Sequence, residues 1–398
     1  MTKSGVAAPL GFRASGVACG LKKNGGYDLA MVVSDITAQA AGIFTTNVVK
    51  GHSLMWSRNH IKNGTAKAVV INSGCANACV GPQGDMDAAE MASCAAGLAG
   101  CDPSQVMLGS TGVIGFRLDM DKVKRGIEEA FSTLSYEGGA MASKAIMTTD
   151  TFPKEASASF VLSGKTVCIG GMAKGSGMIH PNMATMISVL TTDAAISHKL
   201  LDKALRTVAD SSFNRISVDG DTSVCDKVLL LANGMAGNAP IESEGPAYEA
   251  FCQALSEVSV SLSKMLAKDG EGATKLIEIR AEHCRNKNDA HLILNAVAKS
   301  PLVKTAIFGQ DANWGRIFTA AGYSGANFDP NIVDIYLGDL LVCKNGVAFP
   351  FDEGLALEIL KKEEITILLD FKAGESCDRI WTCDLSMDYV KINGSYRS

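Results

Sequence analysis

Apolar positions along this chain follow two rhythms that alternate from end to end. Short β-rich runs predict strands over Asp28–Ser34, Lys67–Asn72, Gln105–Ser110, Glu155–Leu162 and Lys165–Met172. Further strands are predicted over Met186–Thr191, Lys227–Ala232, Lys275–Ala281, Val333–Tyr336 and Ile365–Leu369. Between them, helical patterning is strongest in Asp85–Leu98, Asp119–Thr133, Ser197–Ser211, Ala247–Ala267 and Asp289–Ser300. Asp119 and Ser197 read as N-caps, with side-chain oxygens that accept the free N–H groups of a first helical turn.

The alternation reads as α/β or α+β. Glycine, 40 residues in all, concentrates at strand ends and in loops, of which Leu108–Gly115, Ala173–Gly177 and Val218–Thr222 stand out. The polar stretch Gly234–Gly245 is the expected domain boundary, separating a core of residues 1–235 from a C-terminal domain of residues 240–398.

A length of 398 residues allows two or three domains, and 47% hydrophobic with 20% charged residues is an ordinary globular balance. The net charge of -5 argues against nucleic acid as a partner, since phosphate binding needs a basic surface. No run of about 18 apolar residues is present, so no membrane span is predicted. The opening MTKSGVAAPLGFRASG lacks a sustained apolar core, which makes a cytoplasmic location the expectation. The twelve cysteines and six histidines are dispersed and lack zinc-ligand spacing; reduced, buried thiols are expected and no metal.

The segment Ala173–Met186, AKGSGMIHPNMATM, is the most informative. It is no P-loop, because that motif places its lysine after the glycines. Lys174 precedes Gly175 and Gly177, and the pair Ala184-Thr185 leads into a β-rich run. A threonine opening a strand is unremarkable alone. Its company is not.

Eight blocks in one order carry a resemblance over nearly the whole chain. They are Gly11–Ala14 (GFRA), Asn72–Cys79 (NSGCANAC), Ser110–Gly115 (STGVIG), Met147–Thr151 (MTTDT), Lys174–Met186, Asp269–Thr274 (DGEGAT), Asp311–Ile317 (DANWGRI) and Asp388–Ser398 (DYVKINGSYRS). On these residues the sequence resembles the ornithine acetyltransferase family, the glutamate N-acetyltransferases of arginine biosynthesis.

The resemblance implies self-cleavage between Ala184 and Thr185, giving chains 1–184 and 185–398 that stay together as an α2β2 assembly. Thr185 becomes the nucleophile, and its new α-amine, with an ordinary pKa of about 7.7–8.0, serves as base. Acetyl then passes by ping-pong from N-acetylornithine to Thr185 and on to glutamate. Thr111 (hydroxyl) and Gly112 (backbone N–H) are the implied oxyanion donors. Thr148, Lys174, Thr185, Glu271, Asn393 and Ser398 are the implied substrate-binding positions, with Lys174 suited to a carboxylate and Glu271 to an ammonium. No cofactor is implied; acetyl-CoA is open as a second acetyl donor, although no coenzyme A signature is present. The expected fold is a layered α/β sandwich, with Thr185 at a strand start and a smaller C-terminal α/β domain.

Three positions depart from the family pattern: Cys75 stands where Asn is usual, Ala312 where Pro is usual, and Ser398 where Thr is usual. The Ser217–Asp226 tract carries clustered carboxylates but lacks calcium-loop spacing, and reads as a structural loop. The other reading of an N-terminal nucleophile is an aminopeptidase or amidase, in which the acyl group passes to water. Lys174, Glu271 and the tail favour an amino-acid acceptor.

Overall fold

The computed structural model describes residues 4–180 and 186–395. The chain divides into two units, one of residues up to 214 with 221–262, the other of residues 215–220 with 263 onward.

The first unit holds strands β1 (Phe12–Val17), β2 (Leu29–Phe44), β3 (Thr65–Cys75), β4 (Val106–Val113), β5 (Lys154–Leu162), β6 (Lys165–Lys174) and β7 (Ile187–Thr192). After the two-residue β8 (Ile216–Ser217), which belongs to the other unit, β9 (Lys227–Ala232) completes its sheet. The order is β4-β3-β2-β9-β7-β6-β5, with β1 also on β2. The N-terminal part of β2 lies between β1 and β3; past an irregularity between Val33 and Ala38, its C-terminal part runs beside β9. β2 is thus the corner of the sheet.

Strand periodicity explains the layering, because both faces of these strands are apolar. Ala30, Val32, Val69, Ile71 and Met107 from one half meet Met172, Ile187, Val189, Leu229 and Leu231 from the other in one buried cluster. Their alternates Leu29, Met31, Val33, Ala68, Val70, Val106 and Leu108 bury against α2 (Pro82–Ala99) and α3 (Met120–Ser132). Before these helices in the chain, α1 (His52–His60) lies on β4, and after them α4 (Gly139–Ala145) packs into the inner cluster. α5 (His198–Asp210) lies against β2. Outside β6 and β7, α6 (Pro246–Lys268) packs so closely that a Cβ on Gly171 would fall 3.0 Å from Leu262. This is the expected layered α/β sandwich.

The second unit is the expected smaller α/β domain. Its strands β10 (Leu276–Cys284), β11 (Asp334–Leu337), β12 (Leu340–Lys344), β13 (Val347–Ala348), β14 (Glu364–Asp370) and β15 (Ser376–Cys383) join β8 in the order β13-β12-β11-β14-β10-β15-β8. The core is Ile277, Ile279, Ile335, Ile365, Ile367 and Ile380 against α7 (Lys287–Lys299), α8 (Pro301–Phe308) and α9 (Trp314–Gly322). α10 (Glu353–Leu360) and α11 (Met387–Gly394) follow.

Two expectations are corrected. The division falls inside α6 at residues 262–263, not at Gly234–Gly245. The polar stretch is fastened to the first unit: Ile241 bridges Ile196, and Asn238 Oδ1 accepts the Ala195 N–H at 2.8 Å. Ser197 does stand at the N-cap of α5, but its side chain makes no capping bond, whereas Asp119 accepts the Lys122 N–H at 3.2 Å.

Candidate active site

β3 and β4 run parallel, so their C-terminal ends lie side by side, with Ser73 opposite Thr111 and Gly74 opposite Gly112. Gly112 has φ +129°, and a Cβ there would sit 2.4 Å from the Gly74 carbonyl carbon and 2.7 Å from the Cys75 nitrogen. Only glycine fits. Behind this edge, Ser110 Oγ donates to Asn72 Oδ1 (2.6 Å) and Asn72 Nδ2 donates to the Cys75 carbonyl (2.9 Å), tying both strand ends together.

Lys174 ends β6 and is buried. Its Nζ donates to Thr148 Oγ1 at 2.8 Å and to Thr111 Oγ1 at 3.3 Å. Because Thr111 accepts from the ammonium, its own hydroxyl hydrogen stays available to another acceptor. The structure therefore brings Thr111, Gly112, Thr148 and Lys174 into one group.

A buried ammonium is costly without countercharge. Asp150 supplies it and also fixes the surrounding backbone. Its Oδ1 accepts from Lys154 Nζ and from the Gly175 N–H, both at 2.7 Å, and its Oδ2 accepts the Thr148 N–H at 2.9 Å. Burial alone would raise the Asp150 pKa, but the Lys174 and Lys154 charges outweigh it and hold the group at about 2. Burial pushes the Lys174 pKa down, opposed by Asp150.

β7 begins in the same neighbourhood. Ile187 stands in register between Lys174 on β6 and Lys227 on β9. Asp226 Oδ1 accepts the Met186 N–H at 3.0 Å, and its Oδ2 accepts the Ser223 N–H at 3.2 Å. Burial pushes the Asp226 pKa well up. Lys227 Nζ donates to the Leu108 carbonyl at 2.7 Å, linking β9 to β4, and burial brings its pKa down to about 8. Ala184 and Thr185, which directly precede Met186, lie outside the described residues, as does Ser398.

Glu271 and Asn393 form a second group, within the second unit. Asn393 Nδ2 donates to Glu271 Oε2 at 2.7 Å, so α11 of the tail folds back onto the DGEGAT loop. Gly272, with φ +69°, leaves no room for a Cβ, which would meet the Tyr389 nitrogen at 2.7 Å. Ser386 Oγ donates to the Gly272 carbonyl at 2.6 Å and fixes the same contact.

Of the departures from the family pattern, Cys75 lies beside Thr111 at the β3–β4 ends. It pairs with Thr111 in register, and its thiol, raised in pKa by burial, donates to the Phe116 carbonyl at 3.1 Å. Ala312 instead packs on the second unit's core at the start of α9. Sequence reasoning missed Asp150, Lys154, Asp226 and Lys227. Asp150 sits inside the MTTDT block and Asp226 at the end of the carboxylate tract, and the signal present was a charged residue, Lys154 or Asp226, directly before a predicted strand.

Comparison with known proteins places this geometry among relatives. The profile of the ArgJ family matches residues 13–398. The arginine biosynthesis bifunctional protein ArgJ of Symbiobacterium thermophilum is 52% identical over 396 residues, covering 99% of this chain and 98% of that protein. The protein of the same name from Bacillus subtilis is 46% identical, covering 99% and 96%. A solved chain of the arginine biosynthesis bifunctional protein argJ of Bacillus halodurans is 40% identical with a TM-score of 0.50, covering 52% of this chain and 97% of that chain.

Proposed function

This chain belongs to the ArgJ family, and from that premise we propose that it cuts itself before Thr185 and then moves acetyl groups through that residue. It is an acetyltransferase of arginine biosynthesis; the steps and the residues assigned to them are our reading. Thr185 Oγ attacks the Ala184 carbonyl carbon, and the acyl group shifts from nitrogen to oxygen. Water then hydrolyses the ester, leaving a carboxylate on Ala184 and a free α-amine on Thr185. The amine takes the Oγ proton as the acetyl group of N-acetylornithine is attacked, and returns a proton to the departing ornithine amine. Glutamate's amine next attacks the acetyl-Thr185 ester.

Each tetrahedral intermediate bears an oxyanion. Thr111, whose oxygen already accepts from Lys174, donates its hydrogen to that oxyanion, and Gly112 donates its N–H. Lys174 and Thr148 hold the substrate carboxylate. Asp150 and Asp226 hold backbone and do not touch the substrate. The cut protein works as an α2β2 assembly.

The observation that carries this reading is the buried Lys174 bonded to both Thr111 and Thr148, beside a Gly112 that admits no side chain. The Bacillus halodurans chain supports the cut, since nearly its whole length matches only 52% of this one. The deciding experiment is intact mass of the purified protein beside Thr185→Ala. Two fragments that together weigh 41.7 kDa plus one water, against one whole variant chain, are expected. A wild type that remains whole yet transfers acetyl between ornithine and glutamate would overturn the activation step.

A further inference from the structure

The ends of β3 and β4 are also held from α1, by a line of side-chain hydrogen bonds that all run one way. Ser110 Oγ gives its single hydrogen to Asn72 Oδ1, so it has none left for Ser53 Oγ, 2.7 Å away. Ser53 is therefore the donor in that pair, and its own oxygen accepts from Asn77 Nδ2 at 3.4 Å. With Asn72 Nδ2 on the Cys75 carbonyl, the line runs from Asn77 through Ser53, Ser110 and Asn72 to Cys75. Ser53, Asn72, Asn77 and Ser110 are buried, in a setting where a lost partner is costly.

This line surrounds Thr111. Ser110 precedes it on β4, and its partners across the ladder are Cys75 and Ser73, the residue after Asn72. The head of the line carries a cost. Asn77 has φ +45°, in the left-handed region, and its Oδ1 is buried with no hydrogen-bond partner among the described residues. Turning the amide over would set Oδ1 against the Gly84 carbonyl, which now accepts from Nδ2 at 3.1 Å. An amide kept in this conformation with its oxygen unsatisfied is explained by what its nitrogen donates to.

We propose that Ser53, on α1 and outside the reacting group, is a positioning residue for acetyl transfer: through Ser110 it fixes where the Thr111 hydroxyl points. The proposal rests on the acetyl-transfer reading above. A donor stabilises an oxyanion only when it is already aimed where the charge develops. A misplacement of about 1 Å, caused from outside the site, can cost about 10²-fold in rate. Without the Ser53 hydroxyl, Ser110 keeps its bond to Asn72 but loses the second bond that stops its side chain, and the peptide leading into Thr111, from shifting.

The test compares Ser53→Ala with Ser57→Ala in the fully cut enzyme, with N-acetylornithine and glutamate as substrates, below the melting temperature of each variant. Ser57, one turn further along α1, is equally buried and bonds both the N–H and the carbonyl of Leu108, at 2.7 and 2.8 Å, but stands outside the line. Ser53→Ala is expected to lower kcat about tenfold with both KM values within about twofold of wild type. Ser57→Ala should lose at least as much melting temperature and keep its kcat. In a Thr111→Ala background the hydroxyl that Ser53 aims is gone, so adding Ser53→Ala should change kcat by less than about twofold. A wild-type kcat in Ser53→Ala would overturn the assignment. So would equal losses of kcat in the two serine variants, which would mean a general loosening of α1, or a full tenfold loss that persists beside Thr111→Ala. A cut wild type that transfers no acetyl would overturn the acetyl-transfer reading itself, whatever the serine variants do.

Discussion

The carboxylate of Asp226 accepts the backbone N–H of Met186 at 3.0 Å, which fastens the peptide directly after Thr185 to the residue just before β9. Asp226→Ala removes the acceptor for Met186 and Ser223 together. Two buried N–H groups left unpaired cost about 1–3 kcal/mol each. Self-cleavage should slow at least about tenfold, while Asp226→Asn, which retains one oxygen, should cut at an intermediate rate. The measurement is the fraction of cut chain over time by mass, below the melting temperature of each variant. Equal rates in all three proteins would show that this bond does not present the scissile peptide.

Thr111 is assigned a hydrogen to donate, and the assignment depends on its hydroxyl alone. Thr111→Ala should lower kcat for acetyl transfer by about 10²–10³, the usual effect of losing one oxyanion donor. Thr111→Ser should stay within about tenfold of wild type. Steady-state kinetics on fully cut enzyme separates this from any effect on cleavage. A Ser variant as impaired as the Ala variant would point to packing by the methyl group.

Gly112→Ala places a Cβ against the backbone of β3, at 2.4 Å from Gly74 and 2.7 Å from Cys75, at a φ that side chains avoid. The β3–β4 ends must separate, so both melting temperature and turnover should fall, by about 1–3 kcal/mol for the backbone strain alone. Gly115→Ala, where φ is also positive but nothing lies within 4 Å, is the control: a smaller loss of stability and retained activity.

The Asp150 pKa, held at about 2 by Lys174 and Lys154 against the cost of burial, makes stability depend on acid. Its folded pKa lies below the unfolded one. Its contribution is therefore fully present above about pH 4 and lost as pH falls toward 2, an amount of about 2 kcal/mol. Asp150→Asn should destabilise at pH 7 by about 3–5 kcal/mol, because the buried Lys154 ammonium loses the Asp150 countercharge. The gap between the two proteins in denaturant titrations should shrink between pH 4 and pH 2.

The strands were readable because their apolar runs serve two buried faces: Lys227–Ala232 has the predicted bounds, and Leu29–Val33 alternates between two cores. Short helices such as α1 and α9 were not, because α1 carries Ser53 and Ser57 on its buried side, where they bond to β4, and no apolar stripe marks it. Thr111, Gly112, Thr148 and Lys174 came from the family resemblance, and the structure gives that group its geometry. Asp150 and Asp226 escaped notice because a carboxylate in a loop looks solvated until its partners are known. Both have backbone N–H partners, which sequence spacing does not encode.

The order of strands in the first sheet sets the order of events in the molecule's life. β9 and β7 come from the segment after Thr185, yet they form the middle of the sheet, with β2 on one side and β6 on the other, both from the segment before it. Residues 1–184 made alone would leave β2 and β6 as two unsatisfied edges facing an empty slot, the kind of surface through which chains aggregate. The segment from Thr185 onward would hold two central strands without neighbours. Under the cleavage proposed before Thr185, folding must therefore precede cutting, and a cut molecule that unfolds would lack the covalent link that made its first assembly unimolecular.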